Sequence, residues 1–268
     1  MRRFGRAGVL CALVTALVAG ACGGGDAGAG RDDVRNAGAS SPAPDPGLSA
    51  ALAAVRRART LQATFTVRRV GGALSGKADV VSGRGMLVTF RHERTTGEPE
   101  RPLTGRLLTV GDAAFVRSTR WKPPKGRKWI AVDPRWAATP DRPIAPEWLA
   151  LVMSRLLDPA FLLDQGLTGI DGVKAAPDTI DGARVTRYTL SLNLGYQHFG
   201  PELTAWARQT GDGTSFGVSL WLDARHRPVR LKLDGSTVLL QFWVDVAFHH
   251  YGARVRLRSP APRTVAKA

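Results

Sequence analysis

Gly213-Thr214-Ser215-Phe216-Gly217 is the stretch whose spacing matches a catalytic pattern. G-x-S-x-G carries a nucleophilic serine when a strand precedes it and a helix follows, because the serine then sits on a strained turn. Here a loop precedes it and an alternating run, Phe216, Val218, Leu220 and Leu222, follows. Ser215 therefore reads as a turn or strand-start residue, not as a nucleophile. The histidines are His92, His198, His226, His249 and His250, and no two have the H-x-x-x-H spacing of a helical metal site. Adjacent His249 and His250 point to opposite faces if they lie in a strand. The acidic residues show no calcium-loop pattern, and no glycine-rich phosphate loop precedes a helix. The expectation is a protein without catalytic residues, metal or cofactor, whose chemistry is binding.

Two features carry binding chemistry. The first is a basic run, Arg117, Arg120, Lys122, Lys125, Arg127 and Lys128, interleaved with Trp121 and Trp129. Pro123-Pro124 and Gly126 place it in a protruding hairpin loop. Stacking and phosphate contacts of this kind can hold single-stranded nucleic acid. An exported protein rarely meets nucleic acid, so anionic lipid headgroups are the better partner. The same loop also reads as a solvated hairpin with its tryptophans folded back on the sheet.

The second feature is Cys22. Arg2, Arg3 and Arg6 form a positive segment, and Ala7 to Val18 form an apolar one too short to span a bilayer. Ala19-Gly20-Ala21-Cys22 follows, and it resembles a bacterial lipobox, in which the cysteine is lipidated and becomes the first mature residue. Ala19 stands where leucine is commonest, and Ala19-x-Ala21 also fits an ordinary secretory cleavage site. Both readings cut before Cys22. Removing residues 1–21 takes away three arginines and no acid, leaving a formal +13 of the original +16. Cys11 leaves too, so Cys22 is the only mature cysteine and no intramolecular disulfide can form.

The rest of the chain must position a binding surface. Its 268 residues are 44% hydrophobic and 22% charged, which excludes a disordered or fibrous chain. Two cysteines exclude a disulfide framework or a multi-cysteine metal site. Residues 22–47, rich in glycine, alanine, serine, proline and aspartate, form a flexible tether. From residue 48 the pattern is globular. Leu48, Ala51, Leu52 and Val55 recur at helical spacing. Leu61, Ala63, Phe65 and Val67 then alternate as in a half-buried strand. Further strands are expected at 77–90, 105–117 and 128–133, with turns at Gly71-Gly72, Gly83 to Gly85, Gly97 and Gly111-Asp112.

A segment from Pro146 to Leu163, broken at Asp158-Pro159, is apolar on nearly every side and predicts buried helix. Strands resume at 173–194 around an Asp181-Gly182 turn. A short helix is expected at 201–208. Three strands follow at 214–223, 227–234 and 237–249, connected through Asp223 to Arg227 and through Asp234-Gly235. Residues 253–258 are expected to add an edge strand, and 261–268 to form a disordered tail.

The order of these features resembles the LppX/LprG group of actinobacterial lipoproteins, which share the LolA/LolB-type fold. The likeness covers about residues 48–260. It rests on Ala114-Phe115-Val116-Arg117 with Lys128 to Pro134, on Leu156-Leu157-Asp158-Pro159 with Leu162-Leu163, and on Ile180-Asp181-Gly182 with Tyr188-Thr189-Leu190. Leu220-Trp221-Leu222-Asp223 followed by Arg227 to Leu231, and the Tyr251-Gly252 and Ser259-Pro260 ending, complete it. Each motif is short, so their order carries the resemblance. It implies an α+β fold, a strongly curved, unclosed antiparallel half-barrel with helices plugging its concave face. It also implies a cavity that holds acyl chains of a lipid or glycolipid, in a carrier anchored to the outer face of the plasma membrane.

Alternation supplies the candidate lining of that cavity: Phe65, Val67, Val88, Phe90, Leu149, Met153, Leu157, Leu190, Leu192, Val218, Leu220, Leu231, Phe242 and Val244. The same residues would equally build a closed, packed core. The alternative function is a sensory or interaction lipoprotein that uses the same fold to bind an envelope regulator or transporter.

Overall fold

The computed structural model describes residues 45–69, 71–94, 101–133, 145–166, 173–193, 215–236 and 241–267. The expected export signal, Cys22, the expected tether up to residue 44, the expected Gly97 turn and the helix expected at 201–208 lie outside these described residues.

The described chain opens with α1 (Pro46–Ala58), two residues before the apolar spacing begins. Asp45 and Pro46, read from composition as tether, are helix-start chemistry. The Asp45 Oδ1 accepts from the N–H of Gly47 at 2.8 Å and of Leu48 at 3.1 Å, and proline at the first helical position loses no needed donor. Leu48, Ala51, Ala54 and Val55 face inward, and Arg56 and Arg57 sit in the last turn, where the dipole favours cations.

Six strands follow: β1 (Thr60–Arg69), β2 (Gly72–Val81), β3 (Gly85–Arg94), β4 (Leu103–Val110), β5 (Ala113–Ser118) and β6 (Trp129–Val132). Two helices interrupt them, α2 (Pro146–Leu156) and α3 (Pro159–Gly166). The second half contributes β7 (Lys174–Ile180), β8 (Ala183–Asn193), β9 (Ser215–Leu222), β10 (Pro228–Ser236) and β11 (Gln241–His249). A 3₁₀ turn at Pro262–Thr264 leads into β12 (Val265–Lys267).

All twelve strands form one unclosed sheet in the order β12-β6-β5-β4-β3-β2-β1-β11-β10-β9-β8-β7. Every described pairing is antiparallel except β12 on β6. The seam between the halves joins β1 to β11, with Phe65 opposite Val246 and Val67 opposite Val244. The sheet curves round the helices, as the half-barrel expectation has it, and the inner-face rows and the helices share one apolar cluster.

Four further expectations are corrected. Asp234-Gly235 is not a turn: β10 runs through it to Ser236, with Gly235 opposite Phe242. Gly235 is there because a side chain will not fit. A Cβ on it would lie 2.6 Å from the Phe216 ring and closer still to Phe242. Residues 253–258 form no strand, and 261–267 are not a loose tail. The edge strand is β12 instead, held by Lys128 N–H donating to Thr264 O at 2.8 Å and by the Arg127 guanidinium donating to Pro262 O and Val265 O, each at 3.1 Å. Finally, His249 and His250 do not point apart. His250 leaves the strand at φ 49°, its ring lies 4.8 Å from that of His249, and its Nδ1 is 2.7 Å from Gln62 Oε1.

Candidate functional site

The candidate site is the interior between the curved sheet and α2–α3. Its wall is built by alternation, since every second side chain of a strand meets the same face. Phe65 and Val67 of β1, Val88 and Phe90 of β3, and Leu190 of β8 are buried there. So are Val218 and Leu220 of β9, Leu231 of β10, and Phe242 and Val244 of β11. Leu149 and Met153 of α2, and Leu157 just after it, cover them. These thirteen residues belong to one contiguous cluster. The fourteenth, Leu192, has its backbone opposite Phe216, and its side chain lies outside the described residues.

The wall has a device that alternation does not reveal. Three of its phenylalanines stand directly opposite a glycine: Phe65 opposite Gly76, Phe90 opposite Gly105, and Phe242 opposite Gly235. A Cβ would come 2.9 Å from Phe65 Cε1 at Gly76 and 2.8 Å from Phe90 Cε1 at Gly105. The rings therefore lie down across their partner strands and line the wall, leaving the middle of the interior to the helices. Phe216 meets Phe242 edge-on, with centroids 5.2 Å apart. The candidate lining leaves out Leu61, Leu74, Val80, Leu107 and Val246, all buried in the same cluster. On β2 the inner row holds Gly76 and Ala78 between Leu74 and Val80, so its hydrophobic period is faint.

Helix α2 fills that middle. Ten of its eleven residues are buried, all but Arg155, and it lies against β3, β4 and α3. Its polar attachments are at its ends. At the start, Glu147 is 3% exposed and its Oε1 accepts from Ser118 Oγ at 2.7 Å, while the positive end of the helix favours a carboxylate there. Glu147 Oε2 and Trp148 Nε1 are buried with no hydrogen-bond partner. Just past the other end, Asp158 is buried and accepts from Ser82 Oγ at 2.7 Å, Gly83 N–H at 2.9 Å and Ala160 N–H at 3.0 Å. Asp158 also explains the break, because the residue before Pro159 avoids helical angles. Arg56 on α1 reaches Asp164 on α3 at 2.8 Å.

Charged and titratable groups also gather at the Glu147 end. Burial lowers the His92 imidazole below its ordinary range, the Arg69 guanidinium lowers it further, and Glu147 opposes both. The basic loop continues from Ser118 at this end of the sheet. Arg120, Lys122, Lys125, Arg127 and Lys128 are exposed. Trp121 folds back onto the apolar cluster, and its backbone N–H donates to Ser118 Oγ at 3.2 Å. Arg127 is engaged by the chain terminus, as described above.

A pocket of about 420 Å³ lies at the opposite end, against the β2–β3 and β4–β5 turns, α1 and α3, and includes none of the candidate lining. Ser215 is the first residue of β9, with its backbone opposite Asn193 and strand, not helix, after it. Among the described residues, no three metal-ligating side chains cluster, and no helix is long and apolar enough to cross a membrane.

No protein-family model matches the chain, and no curated protein matches it. Among solved structures it is similar to LprF from Mycobacterium bovis, with 13% identity and a TM-score of 0.42 over 82% of this chain and 99% of that one. It is also similar to MucB, with 16% identity and a TM-score of 0.34 over 81% of this chain and 64% of that one. A further likeness is to the complex of Pseudomonas aeruginosa MucA and MucB, with 15% identity and a TM-score of 0.33 over 80% of this chain and 60% of that one. The functional reading is built on this chain's own residues.

Proposed function

We propose that the domain binds acyl chains of a lipid or glycolipid between the sheet and α2–α3, without catalysis, as an exported carrier held at the membrane surface through Cys22. The observation that carries this reading is α2, a helix buried on all sides inside a sheet that remains open at both edges. Such a helix presents no polar face to solvent. Its side chains occupy hydrocarbon volume that acyl chains can replace, with a gain of about 0.8 kcal/mol per buried CH₂. Displacing α2 exposes little polar surface, because its polar attachments sit only at its two ends. Met153 at its centre is fully buried and suits repacking against chains of different shape. The cations Arg120, Lys122 and Lys125 lie at the Glu147 end, where a headgroup and an anionic membrane surface would meet the domain.

The reading is tested with Leu220→Trp, which adds bulk to the wall at a position 2% exposed. Bound lipid per protein should fall severalfold. Equal lipid content in a folded variant would refute the assignment. Should the variant fail to fold, the wild-type protein still decides the matter. Saturable binding of a fluorescent palmitate analogue, competed by unlabelled palmitate, supports the reading, and absence of binding turns it toward an interaction domain for another envelope protein.

A further inference from the structure

The face of the sheet opposite the helices carries a second concavity, a trough of about 1110 Å³ that runs from β1 across β11 and β10 to the β7–β8 turn. Trp243 stands in it at 46% exposure, the one exposed large hydrophobic side chain among the described residues. The register fixes its neighbours. Arg68 on β1 lies directly opposite on one side and Asp234 on β10 on the other, and both are exposed. Gly217 follows beyond Asp234, and Thr66 and Ala247 line the floor nearby. The indole stands on a strand paired along both edges.

Charge narrows the occupant. The chain carries a formal +16, yet the trough is lined by four arginine or lysine side chains and four aspartates. Arg230 and Asp245 close one of these pairs at 2.6 Å. A locally balanced surface on a cationic protein selects neither an anionic membrane nor a nucleic acid, both of which need net positive charge. β1, β11 and β10, the strands beneath the indole, are each paired on both sides, so a peptide gains no backbone hydrogen bonds by strand addition there. A sugar fits better. The C–H face of a pyranose ring is apolar and stacks on an indole, and its rim hydroxyls both donate and accept. Asp234 supplies acceptors and Arg68 supplies donors on either side of the ring.

The geometry points to a binding site for a neutral polysaccharide, with Trp243 as the stacking platform and Asp234 and Arg68 as hydroxyl partners. Trp243, Arg68 and Asp234 lie on the face opposite α2–α3. The test is isothermal titration calorimetry of the full mature chain carrying Cys22→Ser, with hexasaccharides of α-1,4-glucan, β-1,4-glucan and α-mannan as probes. The expected result is saturable binding of at least one, weakened at least tenfold by Trp243→Ala, less by Trp243→Phe, and also weakened by Asp234→Asn. Trp243 is half exposed, so the melting temperature and the bound-lipid content should stay unchanged. No binding of any probe at millimolar concentration overturns the proposal. So does binding that survives Trp243→Ala, or selection of peptides at this trough in place of sugars.

Discussion

Replacing Gly235 with alanine tests whether the phenylalanine rings lie down because glycine stands opposite them. The added Cβ would sit 2.6 Å from Phe216 Cδ1 and nearer still to the Phe242 ring, where ordinary carbon contacts are about 3.5–4.0 Å. Neither ring can retreat sideways, since Phe216 is 0% exposed and Phe242 3%. Phe242 must lift off the sheet into the interior. Overpacking of this kind costs about 1–3 kcal/mol, and the entropy an alanine removes from the unfolded chain returns roughly 0.4–1 kcal/mol. The net loss is about 1–2 kcal/mol, which lowers the melting temperature by roughly 2–8 °C in a domain of this size. Gly217→Ala is the matched control on the neighbouring strand. Its Cβ would meet only Asp234 O, at 3.8 Å, so it should be neutral or slightly stabilising. Calorimetric melting of the two variants beside wild type gives the answer. If Gly235→Ala melts with wild type and with Gly217→Ala, the argument about the rings is wrong.

Cys22→Ser should move the protein from the membrane fraction to the soluble envelope fraction, read by immunoblot; unchanged membrane association contradicts the anchor. Asp158→Ala leaves the Gly83 N–H and the Ser82 hydroxyl without their acceptor and should cost about 1–3 kcal/mol, seen as a lower denaturation midpoint and faster amide exchange in α2–α3. A midpoint at the wild-type value would show that Asp158 does not fasten the cover. At high pH, burial raises the Tyr251 phenol far above its ordinary value, with the Asp223 carboxylate adding to it. The unfolded chain loses that proton near pH 10 while the folded chain keeps it, so stability falls as pH rises above about 10, by at most ~1.4 kcal/mol per unit. Tyr251→Phe should flatten that slope in urea melts, and an unchanged slope counts against the assignment.

How much of this was legible in the sequence depends on where the information sits. β1, β9 and β11 alternate because each has one face on the apolar interior, and that period is local. The apolar run through α2 and α3 was legible too, with Asp158-Pro159 marking the break between them. Partners far apart in sequence were not legible. Nothing near Ser82 announces Asp158, 76 residues away, and nothing near Phe90 announces Gly105 until the β3–β4 register is known. Asp234-Gly235 shows the opposite failure. Its dipeptide is good turn chemistry, but the packing of Phe216 and Phe242 requires a residue without a side chain in mid-strand, and tertiary context prevails. β12 is three residues long and has no pattern to read. It exists because Arg127 and Lys128 hold it.

The basic loop shows both sides at once. Its cations were expected to face an anionic surface, and those named are exposed. Trp121, expected either to meet lipid or to fold back, packs on the apolar cluster. Arg127 spends its donors on the chain's own terminus, a role that composition could not have suggested.

The central claim is that the interior takes acyl chains. It is tested most directly by lipid mass spectrometry on the full mature chain carrying Cys22→Ser, exported by a host with a lipid-rich envelope and purified without detergent. The account predicts bound lipid in stoichiometric amount, reduced in the Leu220→Trp variant. A folded, stable protein that carries no lipid would contradict it.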